Sequence, residues 1–294
     1  MNQNGGPPLE LLLQGFANQG ALPGYLRISL LEQCNQRCFF CHNEGQDTRR
    51  SILDERLLWK AVDAAATLGK RKYKLTGGEP TIHPRLVWYV RELRRRVPDA
   101  QIGIITNGTL LKPLARLLRD AGLDRVTVSL HSLSRDTYQH IAQHDGLTDA
   151  LAGLDAVDAA GFEGTGLNML VCTINRSEVP AIVSFAAARG YELRLLDMLP
   201  SRPEVASRAI TRANLLESFP GVAVKAKRFH PKCRDCGSSS SCGEEEYLRL
   251  LADGCLAPCL FRTDLRIQLS PADSDVTSQQ KLALGFRRIW YDDL

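Results

Sequence analysis

Two hydrophobic rhythms take turns along this chain. Short alternating or β-branched runs at residues 25–31, 72–75, 102–106, 125–130, 167–173 and 193–198 read as strands. Helical periodicity fills the spaces between them, over 53–68, 84–96, 110–120, a pair of helices within about 134–160, and 178–189, with Gly69 closing the first. Six strands separated by helices predict a parallel sheet wound by right-handed crossovers. Six units are too few to close an eight-stranded barrel, so the expected fold is α/β, an open partial (β/α)6 barrel over 25–200. A lead segment, 1–24, precedes it, with an apolar stretch at 9–13 that reads as a short helix. After Pro200 the rhythm stops and Pro203, Pro220 and Pro231 interrupt the chain, marking 201–294 as a smaller C-terminal region.

Composition narrows the class without naming it. With 294 residues, 44% of them hydrophobic and 24% charged, the chain suits one large α/β domain with an appendage. A net charge of +4 suits a small anionic ligand and is too dispersed to argue for nucleic acid. No apolar run reaches the ~18 residues of a membrane span and no signal peptide opens the sequence. Reduced thiols and a cytoplasmic location, with no membrane partner, are therefore expected.

Nine cysteines carry the chemistry. Cys34, Cys38 and Cys41 are spaced by three and then two residues, just beyond the end of the first strand, the edge where parallel barrels build sites. Three soft ligands on so short a loop hold a metal or cluster and leave its fourth ligand to something else. A zinc site completed by His42 is the alternative, and disulfides are the weakest option. Gly77-Gly78-Glu79-Pro80 follows the second strand on the same edge. Two glycines let backbone approach a ligand, and Glu79 can accept from an ammonium, although a plain turn has the same composition. Further on come Cys233, Cys236, Cys242, Cys255 and Cys259, where a zinc knuckle is the alternative. Cys172, in an apolar strand, reads as a core thiol. The histidines show no spacing that demands a metal.

The cysteine triplet followed by Gly-Gly-Glu-Pro resembles the radical S-adenosylmethionine (SAM) superfamily. That resemblance implies a [4Fe-4S] cluster on Cys34, Cys38 and Cys41, with SAM chelating the open iron. Gly78 and Glu79 then fall at the SAM amino group, Phe40 near the adenine, and Asn107 and Ser129 along the same rim, Ser129 facing SAM. The stretches beginning at Tyr25, Leu75, Ala121 and Glu192, with Cys41-His-Asn-Glu-Gly as a loop variant, are similar to the GTP 3',8-cyclase family of molybdenum-cofactor synthesis over about residues 24–268.

This closer resemblance implies an auxiliary [4Fe-4S] cluster on Cys233, Cys236 and Cys259. The 22 residues between Cys236 and Cys259 exceed the family spacing, so Cys242 either replaces a ligand or adds a fourth, and Cys255 stays open. Three thiolates would leave an iron for substrate, whereas four would close the cluster. Arg27, Lys72, Lys74, Arg194 and Arg249 become phosphate clamps between the clusters, against the plain alternative of surface charge.

Departures are visible too. Gly166 stands where the family has Lys, Tyr247 where it has the first of two Arg, Ile105 where it has Thr, and the sequence ends in Trp290-Tyr-Asp-Asp-Leu294 rather than Gly-Gly. The expected function is therefore reductive SAM cleavage and hydrogen abstraction from a nucleotide- or nucleoside-like substrate, with C–C bond formation. A genuine GTP 3',8-cyclase and a non-catalytic zinc or iron-sulfur binding protein are the alternatives. The expected partners are a small anionic substrate and a reductant such as flavodoxin or ferredoxin.

Overall fold

A computed structural model describes residues 24–42, 51–198, 203–223, 247–259 and 263–290. The stretch at 9–13 and Cys233, Cys236 and Cys242 lie outside them. Six parallel strands, β1 (Tyr25–Ser29), β2 (Lys72–Thr76), β3 (Gln101–Thr106), β4 (Arg125–Ser129), β5 (Gly166–Leu170) and β6 (Glu192–Leu196), pair in sequence order. Between them run α1 (Glu55–Thr67), α2 (Leu86–Arg96), α3 (Leu111–Asp120), the pair α4 (Arg135–Ala142) and α5 (Leu147–Ala159), and α6 (Val179–Ala188). The expected α/β winding is present, with boundaries moved by a few residues.

Alternation explains which side of each strand does what. Leu26 and Ile28, Tyr73 and Leu75, Ile102 and Ile104, Val126 and Val128, and Leu167 and Met169 are buried in one hydrophobic core with the helices. Because successive side chains on a strand point to opposite faces, the intervening residues Arg27, Lys74, Gly103, Thr127, Asn168 and Arg194 line the concave face. Each fully buried aliphatic side chain on the helix side contributes about 1.5–3 kcal/mol. Among these strands the charged side chains fall on the concave side.

The C-terminal region joins this sheet. β7 (Tyr247–Leu250) pairs parallel with β1, and β8 (Cys255–Ala257) and β9 (Ile267–Gln268) follow antiparallel, giving nine strands in the order β6-β5-β4-β3-β2-β1-β7-β8-β9. Three helices, α7 (Pro203–Ala206), α8 (Arg212–Ser218) and α9 (Asp275–Trp290), complete the described α-helices. α9 packs on α1 and β7, where Lys70 Nζ lies 4.5 Å from the Phe286 ring. No helix among the described residues is long and apolar enough to cross a membrane.

Candidate active site

The loop that follows β1 carries Cys34, Cys38 and Cys41 as thiols in no disulfide, Cys34 exposed and the others half-buried. Its backbone leans on the end of α4, Arg37 N–H donating to Ala142 O at 3.0 Å and Phe39 N–H to Ile141 O at 3.2 Å. Gln36 is buried and its Nε2 donates to the Tyr138 hydroxyl at 2.8 Å. Asn35 closes a polar ring with the loop after β3. Its Nδ2 donates to Thr109 Oγ1 at 2.9 Å, Asn107 Nδ2 donates to Asn35 Oδ1 at 2.8 Å, and the Thr109 hydroxyl donates to Asn107 Oδ1 at 2.8 Å. Polar residues inside the cysteine loop are the sequence signal for this bracing, and spacing logic applied to the thiols alone passes over them.

Gly77 and Gly78 serve the same loop. Gly78 N–H donates to Leu31 O at 2.7 Å and Glu79 N–H to Gln33 O at 2.8 Å. A Cβ on Gly78 would stand 2.0 Å from Gln33 O, and one on Gly77, at φ +149°, would stand 2.4 Å from Leu31 O. The space the glycines leave is thus filled by the backbone of residues 31–33, a close approach that any side chain would block. Glu79 is buried, its Oε1 accepting from Thr106 Oγ1 at 2.6 Å and from Thr81 N–H at 3.0 Å, its Oε2 from Asn107 N–H at 2.7 Å. Burial pushes its carboxyl pKa up, while the donors from Thr106, Thr81 and Asn107 pull it back. Glu79 and Asn107 therefore brace the rim first, and Glu79 Oε2 keeps accepting capacity for a further donor.

Beyond them the rim turns apolar. Phe40 packs edge-on against His131, centroids 5.0 Å apart, and joins Leu170, Cys172, Leu196 and Met198 in a small cluster. Cys172 is a core thiol, as expected, with its pKa raised by burial. His131 accepts from Leu170 N–H through Nδ1 at 3.1 Å, and burial lowers its pKa to about 4, so it is neutral. Ser129 ends β4 half-buried and lies in register with Asn168.

Lower in the lumen, Tyr25 and Tyr247 stack with centroids 5.0 Å apart. Lys74 Nζ lies 4.6 Å and Lys72 Nζ 5.2 Å from the Tyr25 ring, while the Arg249 and Arg27 guanidinium carbons lie 4.4 and 5.5 Å from that of Tyr247. Four of the five expected clamps thus surround one aromatic pair. Arg194 does not join them. It sits across the lumen on β6, paired with Glu192 at 2.9 Å, and Glu192 also pairs with Arg125.

Cys255 and Cys259 part company at β8. Cys255 begins the strand and donates its thiol to Gln268 Oε1 at 2.8 Å, and burial with the nearby Asp253 pushes its pKa up to about 11. Cys259 follows the other end of that strand. Cys255 thus has a hydrogen-bond partner of its own, at the opposite end of β8 from Cys259.

The donor chemistry of the cysteine loop fits an iron-sulfur cluster. Three soft thiols on one short loop are the donor set such a cluster takes, each thiolate binding its own iron.

The model of the radical SAM superfamily matches residues 28–186. A Thermococcus kodakarensis protein named "Probable GTP 3',8-cyclase" is 34% identical, covering 90% of this chain and 93% of its own length. The GTP 3',8-cyclase of Paenarthrobacter nicotinovorans is 31% identical over 85% of this chain and 82% of its own. Among solved structures, native anSMEcpe with bound AdoMet superposes with a TM-score of 0.64 at 16% identity, covering 92% of this chain and 84% of its own. Streptococcus suis SuiB bound to S-adenosylmethionine gives 0.65 at 14% identity, covering 97% and 69%. At such identities these two structures speak for the fold alone. The matched superfamily region, together with relatives of this identity and coverage, places the chain in the radical SAM superfamily and, within it, in the GTP 3',8-cyclase family.

Proposed function

We propose that this radical SAM enzyme performs the reaction its relatives are named for, joining the ribose C3' of GTP to C8 of its base. The observation that carries the proposal is the group of four cations around Tyr25 and Tyr247 in the lumen below the thiol loop. A flexible anionic chain suits that group, since Arg and Lys bind phosphate through charge-assisted hydrogen bonds.

Cys34, Cys38 and Cys41 would hold a [4Fe-4S] cluster and leave its fourth iron to the amino and carboxylate groups of SAM. When bound and reduced, that pair supplies a 5'-deoxyadenosyl radical, and the chemistry beyond binding belongs to the cofactors. Glu79 Oε2 accepts from the SAM ammonium, and Phe40 with Leu170 and Leu196 offers an apolar wall to the adenine. Arg27, Lys72, Lys74 and Arg249 hold the phosphates. Cys233, Cys236 and Cys259, with Cys242 as a replacement or a fourth ligand, form an auxiliary cluster. Flavodoxin or ferredoxin supplies the electron.

The sequence alone favours an altered nucleotide over GTP. Likeness to the cyclases across most of both chains moves the balance toward GTP. One structural feature keeps a second reading: a Cβ at Gly166 would meet Thr127 Oγ1 at 2.8 Å, so the wall that has lost the family's Lys is filled by its neighbour. A substrate without a phosphate on that side would leave such a wall in place.

Anaerobic enzyme rebuilt with iron and sulfide, given SAM, dithionite and either GTP or a panel of other nucleotides, separates the two. A product of GTP's own mass with a new retention time, formed with 5'-deoxyadenosine, supports cyclisation. Deoxyadenosine released only with another nucleotide replaces GTP as substrate, whereas no release with any nucleotide, or release by the Cys38→Ala variant at the wild-type rate, overturns the enzyme mechanism.

A further inference from the structure

We propose that the side-chain amide of Gln36 donates to the Cys38 thiolate of the [4Fe-4S] cluster, held there by the Tyr138 hydroxyl, and so raises the cluster's reduction potential. This deepens the reading above and rests on the cluster at Cys34, Cys38 and Cys41, not on which nucleotide is turned over.

Gln36 is 6% exposed and Tyr138 2%, so both rely on protein partners rather than water. Gln36 Nε2 donates to the Tyr138 hydroxyl at 2.8 Å, and the Cys38 thiol donates to Gln36 Oε1 at 3.5 Å. The backbone N–H of Gln36 donates to Cys34 Sγ at 3.4 Å. One residue thus addresses two of the three sulfurs.

The loop is fixed around it. Arg37 N–H and Phe39 N–H donate to Ala142 O and Ile141 O at the end of α4, and Tyr138 stands one turn before Ala142 on the same helix. A single helix therefore delivers the backbone acceptors and the phenol together.

Cluster binding changes what Cys38 offers. A ligating cysteine is a thiolate, an acceptor with no proton to give. Gln36 Oε1 beside it would set acceptor against acceptor. Turning the amide end for end removes the conflict, because its oxygen and nitrogen ends have nearly the same shape. Nε2 then donates to the sulfur and Oε1 accepts from Tyr138. The phenol permits this because a hydroxyl both donates and accepts. Burial pushes its pKa up to about 12, so it keeps the proton it must give. A backbone carbonyl or an ammonium in its place would serve only one orientation. Hydrogen bonds to the sulfurs tune the potential of an iron-sulfur cluster. An N–H on a thiolate favours the form that carries the extra electron, which eases reduction by the electron donor.

The test uses the full-length enzyme reconstituted with iron and sulfide and titrated with dithionite under EPR. The signal that changes when SAM is added reports the cluster of this loop. Gln36→Leu keeps most of the volume and removes the amide. Its one-electron reduction should be about tenfold less favourable, a potential lower by ~59 mV. Tyr138→Phe should lower the potential by less, and the double variant should stand level with Gln36→Leu, because the phenol acts through the amide. A Gln36 that only braces the loop would cost iron uptake while the loaded fraction kept the wild-type potential, and that result overturns the proposal. So does a Tyr138→Phe loss that adds in full to that of Gln36→Leu. Should Gln36→Leu take up no iron, Tyr138→Phe decides, a lowered potential supporting the proposal and an unchanged one overturning it. If wild type loads no cluster that SAM perturbs, the cluster reading fails first and this proposal falls with it. Failure of GTP turnover alone leaves the potentials to be read as before.

Discussion

Asn107 Nδ2 donates to Asn35 Oδ1 at 2.8 Å, so the loop after β3 holds the residue that follows Cys34. Asn107→Asp should break this link, since a carboxylate there faces the Asn35 oxygen instead of donating to it. We expect an iron content after reconstitution below wild type and SAM cleavage slower by about tenfold or more, equivalent to ~1.4 kcal/mol. Wild-type iron and wild-type cleavage would remove Asn107 from the support of the loop.

Glu79 gathers donors from Thr81, Thr106 and Asn107 beneath the same loop. Glu79→Gln replaces one acceptor oxygen by an amide NH2, a donor that faces those donors. A loss of about 1–3 kcal/mol is expected, measured by denaturant unfolding of the apoprotein. Because the brace works without a ligand, the loss should be visible before SAM is added. An apoprotein as stable as wild type would confine Glu79 to ligand contact.

His131 makes the Phe40 side of the rim sensitive to acid. Its folded pKa is depressed to about 4 by burial, below the ordinary 6.5. Protons therefore bind the unfolded chain more readily between these values. The contribution is complete above the unfolded pKa and is lost as pH falls through 6.5 toward 4. Protonation would also set an N–H on Nδ1 against the Leu170 amide that donates to it. A fall of up to roughly 3 kcal/mol across that window is expected, from the shift at 1.36 kcal/mol per unit. His131→Gln should flatten it, and an equally steep acid limb in that variant would assign the loss to other groups.

Gly166 and Thr127 form one adjustment. Gly166→Lys introduces a Cβ 2.8 Å from Thr127 Oγ1 and should cost about 1–3 kcal/mol of stability by overpacking. Adding Thr127→Ala should return most of that loss. A single variant that melts like wild type, or a double variant no better than the single, would show that the two positions are independent.

Arg249 lies 8% exposed with its guanidinium carbon 4.4 Å from the Tyr247 ring. Arg249→Gln should raise the KM for a nucleoside triphosphate by about tenfold or more, as removal of a charge-assisted phosphate contact does. The KM for SAM should stay near wild type. A changed SAM KM with an unchanged nucleotide KM would place Arg249 outside the substrate pocket.

Much of the molecule is legible in the order of its residues. Strand and helix periods are local properties of the backbone, so spacing alone yields the six βα units, the thiol triplet at the edge of the first strand and Gly-Gly-Glu-Pro at the edge of the second. It does not yield the β7–β9 extension, since those strands are two to four residues long, too short for a period to show. Tertiary structure alone decides how the side chains are used. It sets Glu79 and Asn107 to bracing the loop, draws Arg27, Lys72, Lys74 and Arg249 together around two tyrosines, leaves Arg194 to Glu192, separates Cys255 from Cys259, and buries the Asn168 oxygen unpaired. Each outcome depends on which residue of one strand stands opposite which residue of the next. That register is set by packing between segments far apart in the chain, and no local pattern records it.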